Sequence, residues 1–267
     1  MRVIYHCFPG GKHKALTMSY DDGRNADRRL VNIFNQNGIR ATFHLNGGLA
    51  DLPGDRVHLD EYKALYAGHE VSCHTLTHPT IARCPLPSVM NQVLADRRAL
   101  ERAVGYPVRG LSYPNGSYSR QIIDMLPLAG IRYSRTVNST GNFAIPENFL
   151  EWNPTCHHKH NIQALGEQFL ALHKTQYLYL MYVWGHSYEF DNDNNWNVIE
   201  DFCRLMGGKD DIWYATNIEM VDDMEAFSRL RFSEDQTFVE NPNARSVWIQ
   251  VDKETPVEIP GGAIVTL

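Results

Sequence analysis

The chain alternates between short apolar runs and longer segments in which apolar residues recur every three or four positions. A run such as residues 177–183, YLYLMYV, has the length and composition of a buried strand. In residues 25–38, the apolar side chains fall on one helical face, and a glycine follows the last of them. We therefore predict that strands and helices alternate through most of the chain.

The same patterns predict the individual elements. We expect strands at residues 14–19, 39–45, 69–73, 109–113, 177–183 and 212–215. We expect helices at residues 25–38, 59–68, 88–104, 118–130, 163–173, 196–207 and 218–230. Alternation of this kind is typical of an α/β fold with a parallel sheet, and six or more units in about 230 residues favour closure into a barrel.

The pattern changes near residue 232. From there the chain has short β-rich runs and turn residues, with no helical periodicity. We therefore predict two parts, a main domain at residues 1–231 and a C-terminal β-strand extension at residues 232–267 that packs on it.

Composition narrows the class of protein. A net charge of -6 gives no basic surface for nucleic acid, and no apolar run is long enough to span a membrane. The first residues lack the apolar centre of a signal peptide, so we expect a cytoplasmic protein as the sequence stands, or a secreted one if a leader was removed beforehand. The 5 cysteines are irregularly spaced without a CxxC pair, which favours reduced thiols.

Several polar residues follow predicted strands, where parallel barrels carry their active sites. These residues are Asp21, Asp22, His74, His78, Asn115, His186 and Glu189. His74 and His78 are spaced so that both imidazoles can reach one ion, and two histidines with one aspartate suit a catalytic metal with open positions. Taken singly, the two aspartates could also be a turn and helix cap, and the two histidines a surface pair.

The order of four segments carries a family resemblance. SYDDG, SCHTLTHP, RGLSYPNGSYS and YLYLMYVWGH, within about residues 16–186, resemble the successive motifs of the NodB-type polysaccharide deacetylases, carbohydrate esterase family 4. The resemblance implies a distorted (β/α) barrel that uses one divalent metal ion, usually zinc, to remove acetyl groups from sugars. Cobalt, nickel or iron would suit the same ligands.

The resemblance also implies roles for individual residues. Asp22 would bind the metal together with His74 and His78, while Asp21 would act as the general base and His186 as the general acid. These roles fit the residue types, since a cation lowers the pKa of bound water and a histidine titrates near neutral pH. A main-chain N–H near Asn115 would help to bind the oxyanion, with Tyr113 and Trp184 beside the substrate.

This sequence departs from the family pattern in two motifs. The third motif usually has an arginine before the proline step, where this chain has Ser112, and we do not transfer that role to Arg109. The fourth motif usually has an Asp-Trp pair that tunes the acid. Glu151 matches that aspartate with one more methylene, and Glu189, close to His186 in the chain, is the competing candidate.

The leading prediction is a metal-dependent hydrolase that removes N- or O-acetyl groups from a carbohydrate. The alternatives are a hydrolase of another non-peptide C–N bond on the same fold and a non-catalytic carbohydrate-binding relative. The expected partner is an acetylated carbohydrate, and nothing in the sequence indicates an oligomeric state. We interpret CHHKH, residues 156–160, as a polar loop at the rim of the cleft, with a second metal site as the alternative.

Overall fold

The computed structural model describes residues 2–267. The strands are β1 (Ile4–Cys7), β2 (Lys14–Asp21), β3 (Ala41–Leu45), β4 (Glu70–Cys73), β5 (Gly110–Ser112), β6 (Tyr133–Arg135), β7 (Cys156–His157), β8 (Tyr179–His186), β9 (Ile212–Tyr214), β10 (Arg231–Phe232), β11 (Phe238–Glu240), β12 (Val247–Val251), β13 (Val257–Ile259) and β14 (Ile264–Thr266). The helices are α1 (Asp27–Gln36), α2 (Tyr62–Leu65), α3 (Leu86–Val104), α4 (Arg120–Met125), α5 (Ile162–Leu170), α6 (Tyr188–Asn192), α7 (Asn197–Met206) and α8 (Asn217–Ser228).

The main sheet is parallel and has the order β6-β5-β4-β3-β2-β8-β7, with β9 also paired to β2. Strand β2 is buried along its whole length and pairs with β8 from Lys14 to Asp21. The strands bring their carboxyl ends to one edge, as expected for βα units. The predicted α/β class and distorted barrel are confirmed.

The sheet closes through an irregular segment between β6 and β8. Trp152 forms a parallel bridge with Arg135 of β6, and its N–H donates to the carbonyl of Ser134 at 3.0 Å. A few residues later, β7 pairs with β8 at Val183 and Trp184. One stretch of chain therefore joins both edges of the sheet, and its short pairings are why the barrel is distorted.

Side chains alternate between two environments along the strands. In β2, Leu16, Met18 and Tyr20 belong to one apolar cluster with residues of the surrounding helices, such as Phe34 and Phe202. This outer layer holds most of the buried apolar surface, the main source of folding free energy. Across residues 2–267, every helix falls short of the length or apolar character needed to cross a membrane.

The other face of the strands lines a polar interior. Near the amino ends of the strands, the buried carboxylate of Glu70 accepts hydrogen bonds from Thr42 Oγ1 at 2.9 Å, the Tyr133 hydroxyl at 2.8 Å and the Ile218 N–H at 2.9 Å. The last contact satisfies a free N–H in the first turn of α8. Burial raises the pKa of Glu70 to about 7, although these hydrogen bonds oppose the shift.

The C-terminal strands form two small antiparallel sheets. Strand β12 pairs with both β13 and the N-terminal β1, and β11 pairs with β10 and β14. Their apolar side chains cluster with Ala226 and Leu230 at the end of α8, which fastens them to the barrel. The boundary between the two predicted parts stays a prediction.

Most predicted elements occur within a few residues of their expected positions. The segment predicted as a helix at residues 59–68 is a 3-10 turn, Leu59–Glu61, followed by the single turn of α2. Strands β1, β6 and β7 and helix α6 were not predicted, because pieces of two to five residues are too short to show a period.

The buried acid at the base of the barrel leads to a stability prediction. The pKa of Glu70 is about 7 in the folded chain and 4.5 as its ordinary value, so the folded state binds the extra proton and loses stability as pH rises across that window. The loss has an upper bound of about 3 kcal/mol. Urea unfolding from pH 4.5 to 7.5 should show that Glu70→Gln loses less stability than the wild type, whereas the exposed Glu147→Gln keeps the wild-type slope. An unchanged slope in Glu70→Gln would contradict this assignment.

Candidate active site

The carboxyl ends of the strands bring the predicted residues to one end of the barrel. Asp21 ends β2 and stands in register with His186 of β8. Asp22 follows it, and His74 comes directly after β4. Parallel pairing therefore places groups together that lie far apart in the chain.

Three of these side chains could hold a metal ion. Asp22 Oδ1 lies 3.8 Å from His74 Nε2 and 3.8 Å from His78 Nε2. One ligand atom from each of the three residues lies within 4.8 Å of the others. Two imidazole nitrogens and a carboxylate oxygen are the donor set of catalytic zinc sites, which leave a position open for water or substrate. The residues present therefore fit a divalent cation of this kind.

Neighbouring groups orient the His74 ring. Its Nδ1 lies 3.0 Å from the carbonyl oxygen of Ser112 and 2.6 Å from the Ser112 hydroxyl. A hydrogen bond from Nδ1–H to that carbonyl leaves the lone pair of Nε2 free to bind a cation, on the side of the ring that faces the two aspartates. The main-chain N–H groups of His74 and Gly47 donate to the buried carboxylate of Asp96 at 3.0 and 2.7 Å, which fixes both loops.

The backbone explains how two adjacent aspartates take different directions. Asp21 is the last residue of an extended strand, whereas Asp22 has a φ of 81°, in the left-handed region. Thr75, His78 and Asn115, on the neighbouring loops, also have positive φ values of 63°, 59° and 57°. Non-glycine residues adopt this conformation at a cost, and such residues concentrate at functional sites.

Asp21 is held by a different set of groups from Asp22. Its buried carboxylate forms an ion pair with Arg135 and accepts a hydrogen bond from Ser112 Oγ at 3.2 Å. Burial alone would raise the pKa of Asp21, but Arg135, followed by His74, holds it well below its ordinary value. Asp21 is therefore ionised at neutral pH. Its Oδ2 lies as close to His74 Nε2 as Asp22 Oδ1 does, at 3.8 Å, but it is paired with Arg135.

Arg135 is the functional residue that the sequence analysis missed. Arg109, the arginine nearest to Ser112 in the chain, instead pairs its guanidinium with Asp222 at 2.8 Å. Arg135 ends the three-residue strand β6, is fully buried and lies against the Trp184 ring at 4.3 Å. The sequence contained one indication of this residue. The run IRYSR ends in an arginine and lies between two predicted elements of a parallel barrel.

His186 is paired with one of its two candidate carboxylates. Its Nδ1 lies 3.2 Å from Glu189 Oε2, whereas Glu151 accepts a hydrogen bond from the Tyr118 hydroxyl at 2.9 Å. Burial alone would lower the pKa of His186, but the hydrogen bond to Glu189 and the charge of Asp21 raise it above its ordinary value. The structure therefore places Glu189, and not Glu151, beside the predicted acid.

The three residues predicted near the substrate are placed differently from one another. Tyr113 is buried, its N–H donates to the Arg135 carbonyl at 3.0 Å, and its hydroxyl donates to the Leu150 carbonyl at 2.6 Å, so neither group faces a ligand. Asn115 lies on the loop after β5. The Trp184 ring packs against Arg135 and lies 4.5 Å from the His157 ring, edge to face.

The CHHKH segment reaches the same end of the barrel. His157 Nε2 lies 3.1 Å from Glu189 Oε2, and His158 Nε2 lies 3.4 Å from the same oxygen. Lys159 Nζ approaches the other oxygen, Oε1, at 3.2 Å. The segment therefore lies next to His186, with Glu189 between them.

Comparison with known proteins shows which family part of the chain is similar to. The family model for polysaccharide deacetylases matches residues 9–134. This chain therefore resembles that family over these residues. A chitooligosaccharide deacetylase from Sinorhizobium fredii is 31% identical over 117 residues, which are 43% of this chain and 53% of that relative. The chain thus spans about half the length of the curated relatives it matches.

Solved structures show the same fold at low sequence identity. A candidate polysaccharide deacetylase from Mycobacterium smegmatis has a TM-score of 0.63 at 16% identity, over 83% of this chain and 93% of that one. A pseudoenzyme of carbohydrate esterase family 4 from Bacillus anthracis has a TM-score of 0.53 at 16% identity, over 82% of this chain and 68% of that one. Because the fold occurs with and without activity, function has to be argued from the site.

The buried ion pair can be tested in metal-free protein by urea unfolding. Arg135→Met leaves the Asp21 carboxylate buried without its partner and should destabilise the fold by about 3–5 kcal/mol. The double variant with Asp21→Asn should recover part of that loss, because it removes the unpaired charge. Arg109→Met, which breaks a half-exposed pair with Asp222, should cost about 1 kcal/mol or less. Equal losses of unfolding free energy in Arg135→Met and Arg109→Met would show that the buried pair with Asp21 stabilises the fold no more than the half-exposed pair with Asp222 does.

Proposed function

We propose that this protein is a metal-dependent hydrolase that removes acetyl groups from a carbohydrate. The proposal rests on one observation, which is that side chains suited to three chemical roles lie together at one end of the barrel. Asp22, His74 and His78 offer a metal-ligand set, the ionised Asp21 lies beside them, and His186 follows in register. The match of residues 9–134 to the family model for polysaccharide deacetylases supports the same conclusion.

Asp21 has the properties of a general base. A divalent cation bound by Asp22, His74 and His78 would polarise an acetyl carbonyl and lower the pKa of water. Asp21 would take the proton from that water, since Arg135 keeps its carboxylate ionised. The pair with Arg135 also restrains Asp21 from turning toward the cation, which leaves Asp22 as the ligand.

His186 has the properties of the general acid. The leaving amine or alkoxide needs a proton, and the raised pKa of His186 favours the protonated imidazole that can supply it. Glu189 holds Nδ1, so Nε2 is the nitrogen that can donate to the leaving group.

The relative from Sinorhizobium fredii bears the name chitooligosaccharide deacetylase, so N-acetylglucosamine oligomers are the first substrates to test. Acetylated xylan tests the O-acetyl alternative. The half-buried Tyr188 ring lies 5.2 Å from that of His186, centroid to centroid, and is an aromatic group of the kind that stacks on sugars, whereas the Trp184 ring is buried against Arg135.

The two adjacent aspartates give the sharpest test of the proposal. Asp22→Asn should lose both bound metal and acetate release, because it removes a ligand. Asp21→Asn should keep the metal and lose activity by roughly a hundredfold or more, because it removes only the base. The exposed Asp60→Asn is the matched control and should keep both. Metal content is read by elemental analysis and activity by acetate release.

Two outcomes would contradict these assignments. Equal loss of metal from Asp22→Asn and Asp21→Asn would show that the two roles are wrongly divided. The absence of acetate release by metal-loaded wild type from both classes of substrate would reject the deacetylase proposal.

The pH dependence of activity tests the proposed role of His186 as the general acid. His186 must be protonated to donate, so activity should fall as pH rises through its pKa, which lies above the ordinary value of 6.5. Glu189→Gln removes the negative charge that raises this pKa and leaves only a neutral acceptor for Nδ1–H, so the alkaline limb of the profile should move to lower pH. Glu151→Gln should leave the limb in place, because Glu151 contacts Tyr118. A shift in the second variant and not in the first would reverse the assignment.

A further inference from the structure

We propose that His157, His158 and Glu189 form a second metal site, which takes a divalent transition metal of the zinc class. The site shares no ligand with the Asp22, His74 and His78 set. His157 and His158 belong to the segment of β7 and the loop after it, and Glu189 lies at the start of α6. The family model ends at residue 134, before any of the three.

The ligand atoms already have the spacing of a metal site. His157 Nε2 and His158 Nε2 lie 3.1 and 3.4 Å from Glu189 Oε2, and one ligand atom from each of the three residues lies within 4.8 Å of the others. Ligand atoms at about 2.0–2.2 Å from a tetrahedral zinc ion are separated by roughly 3.3–3.5 Å. Only small side-chain movements are therefore needed to admit an ion, with a fourth position left for water.

His158 provides the second, independent observation. Its side chain is 2% exposed, and neither ring nitrogen has a hydrogen-bond partner among residues 2–267. The ring stacks on Phe190 with centroids 4.2 Å apart, and this packing directs Nε2 toward Glu189. A buried polar atom without a partner is costly, and a metal ion would satisfy Nε2.

The local backbone is shaped to place this histidine. A Cβ atom at residue 185 would lie 2.0 Å from His158 Nδ1, so the ring can occupy its position only because residue 185 of β8 is glycine. The His158 N–H also donates to the Trp184 carbonyl at 2.8 Å, which anchors the loop to the strand. Two separate features of the chain thus serve to bury one imidazole against Glu189.

The surroundings of Glu189 fit a ligand carboxylate. Its Oε2 has three imidazole nitrogens within 3.4 Å, from His157, His158 and His186, more than two lone pairs can accept with good geometry. Lys159 Nζ lies 3.2 Å from Oε1 and orients the carboxylate, as outer groups do for metal ligands.

One contact has to change when an ion binds. The Lys159 N–H lies 3.2 Å from His157 Nδ1, and ligation through Nε2 moves the ring proton to Nδ1. This contact is exposed, so water can replace it on both groups. It therefore opposes metal binding only weakly.

Metal stoichiometry tests the second site. The full chain is stripped with a chelator, reloaded with excess zinc, desalted and analysed for bound metal. The wild type should hold about two zinc ions per chain, and His158→Phe about one. Phenylalanine keeps the ring that packs on Phe190, and circular dichroism and the thermal midpoint show whether the variant is folded. His157→Gln is the second variant and should also hold about one ion.

Two controls separate this site from the first. His160→Gln, in the same loop but absent from the ligand set, should hold about two ions. The double variant Asp22→Asn, His78→Gln should hold about one, retained at the second site. His158→Phe with as much zinc as the wild type, or a double variant with none, would overturn the proposal. If the wild type held about one ion and only His158→Phe lost it, the second site would stand and the proposed metal role of Asp22 would fail.

Discussion

The ion pair between Asp21 and Arg135 is the constraint on which the site depends. Strands β3, β4 and β5 lie between β2 and β6 in the sheet, so the pair spans the interior of the barrel. Both side chains are almost completely buried, and each charge is tolerated only because the other is present. The closing segment at Trp152 pairs with Arg135 itself, so closure of the barrel also places the guanidinium opposite Asp21.

This pair explains why two aspartates can stand side by side. The Asp21 carboxylate pairs with the Arg135 guanidinium. The left-handed backbone of Asp22 turns the second carboxylate toward His74 and His78. Repulsion between neighbouring acids is thus offset by a different positive partner for each, a fixed guanidinium for one and the proposed cation for the other. The backbone conformation of Asp22 costs free energy, and the burial of the apolar layer outside the barrel offsets that cost.

The elements with long patterns of apolar and polar residues could be predicted from the sequence. Strand β2 and helix α3 show their periods over eight and nineteen residues, and His74 and His78 stand at the expected strand end. Arg135 was missed because its strand has three residues, too few for an alternation of apolar and polar residues to be recognised. The choice between Glu151 and Glu189 was open for another reason. Both are acids near an aromatic residue, and only the tertiary structure shows that Tyr118 engages Glu151.

Glu189 joins His186 to the proposed second metal site. One oxygen of this carboxylate faces the predicted acid His186 and both histidines of the proposed second metal site. Its reach depends on side-chain length. An aspartate at this position would withdraw the oxygen by about one carbon–carbon bond, 1.5 Å, from all three imidazoles. The extra methylene of Glu189, compared with an aspartate, thus lets a residue of α6 reach back to the end of β8. Because Glu189 comes only three positions after His186, the turn that follows β8 is enough to bring its carboxylate to the imidazole.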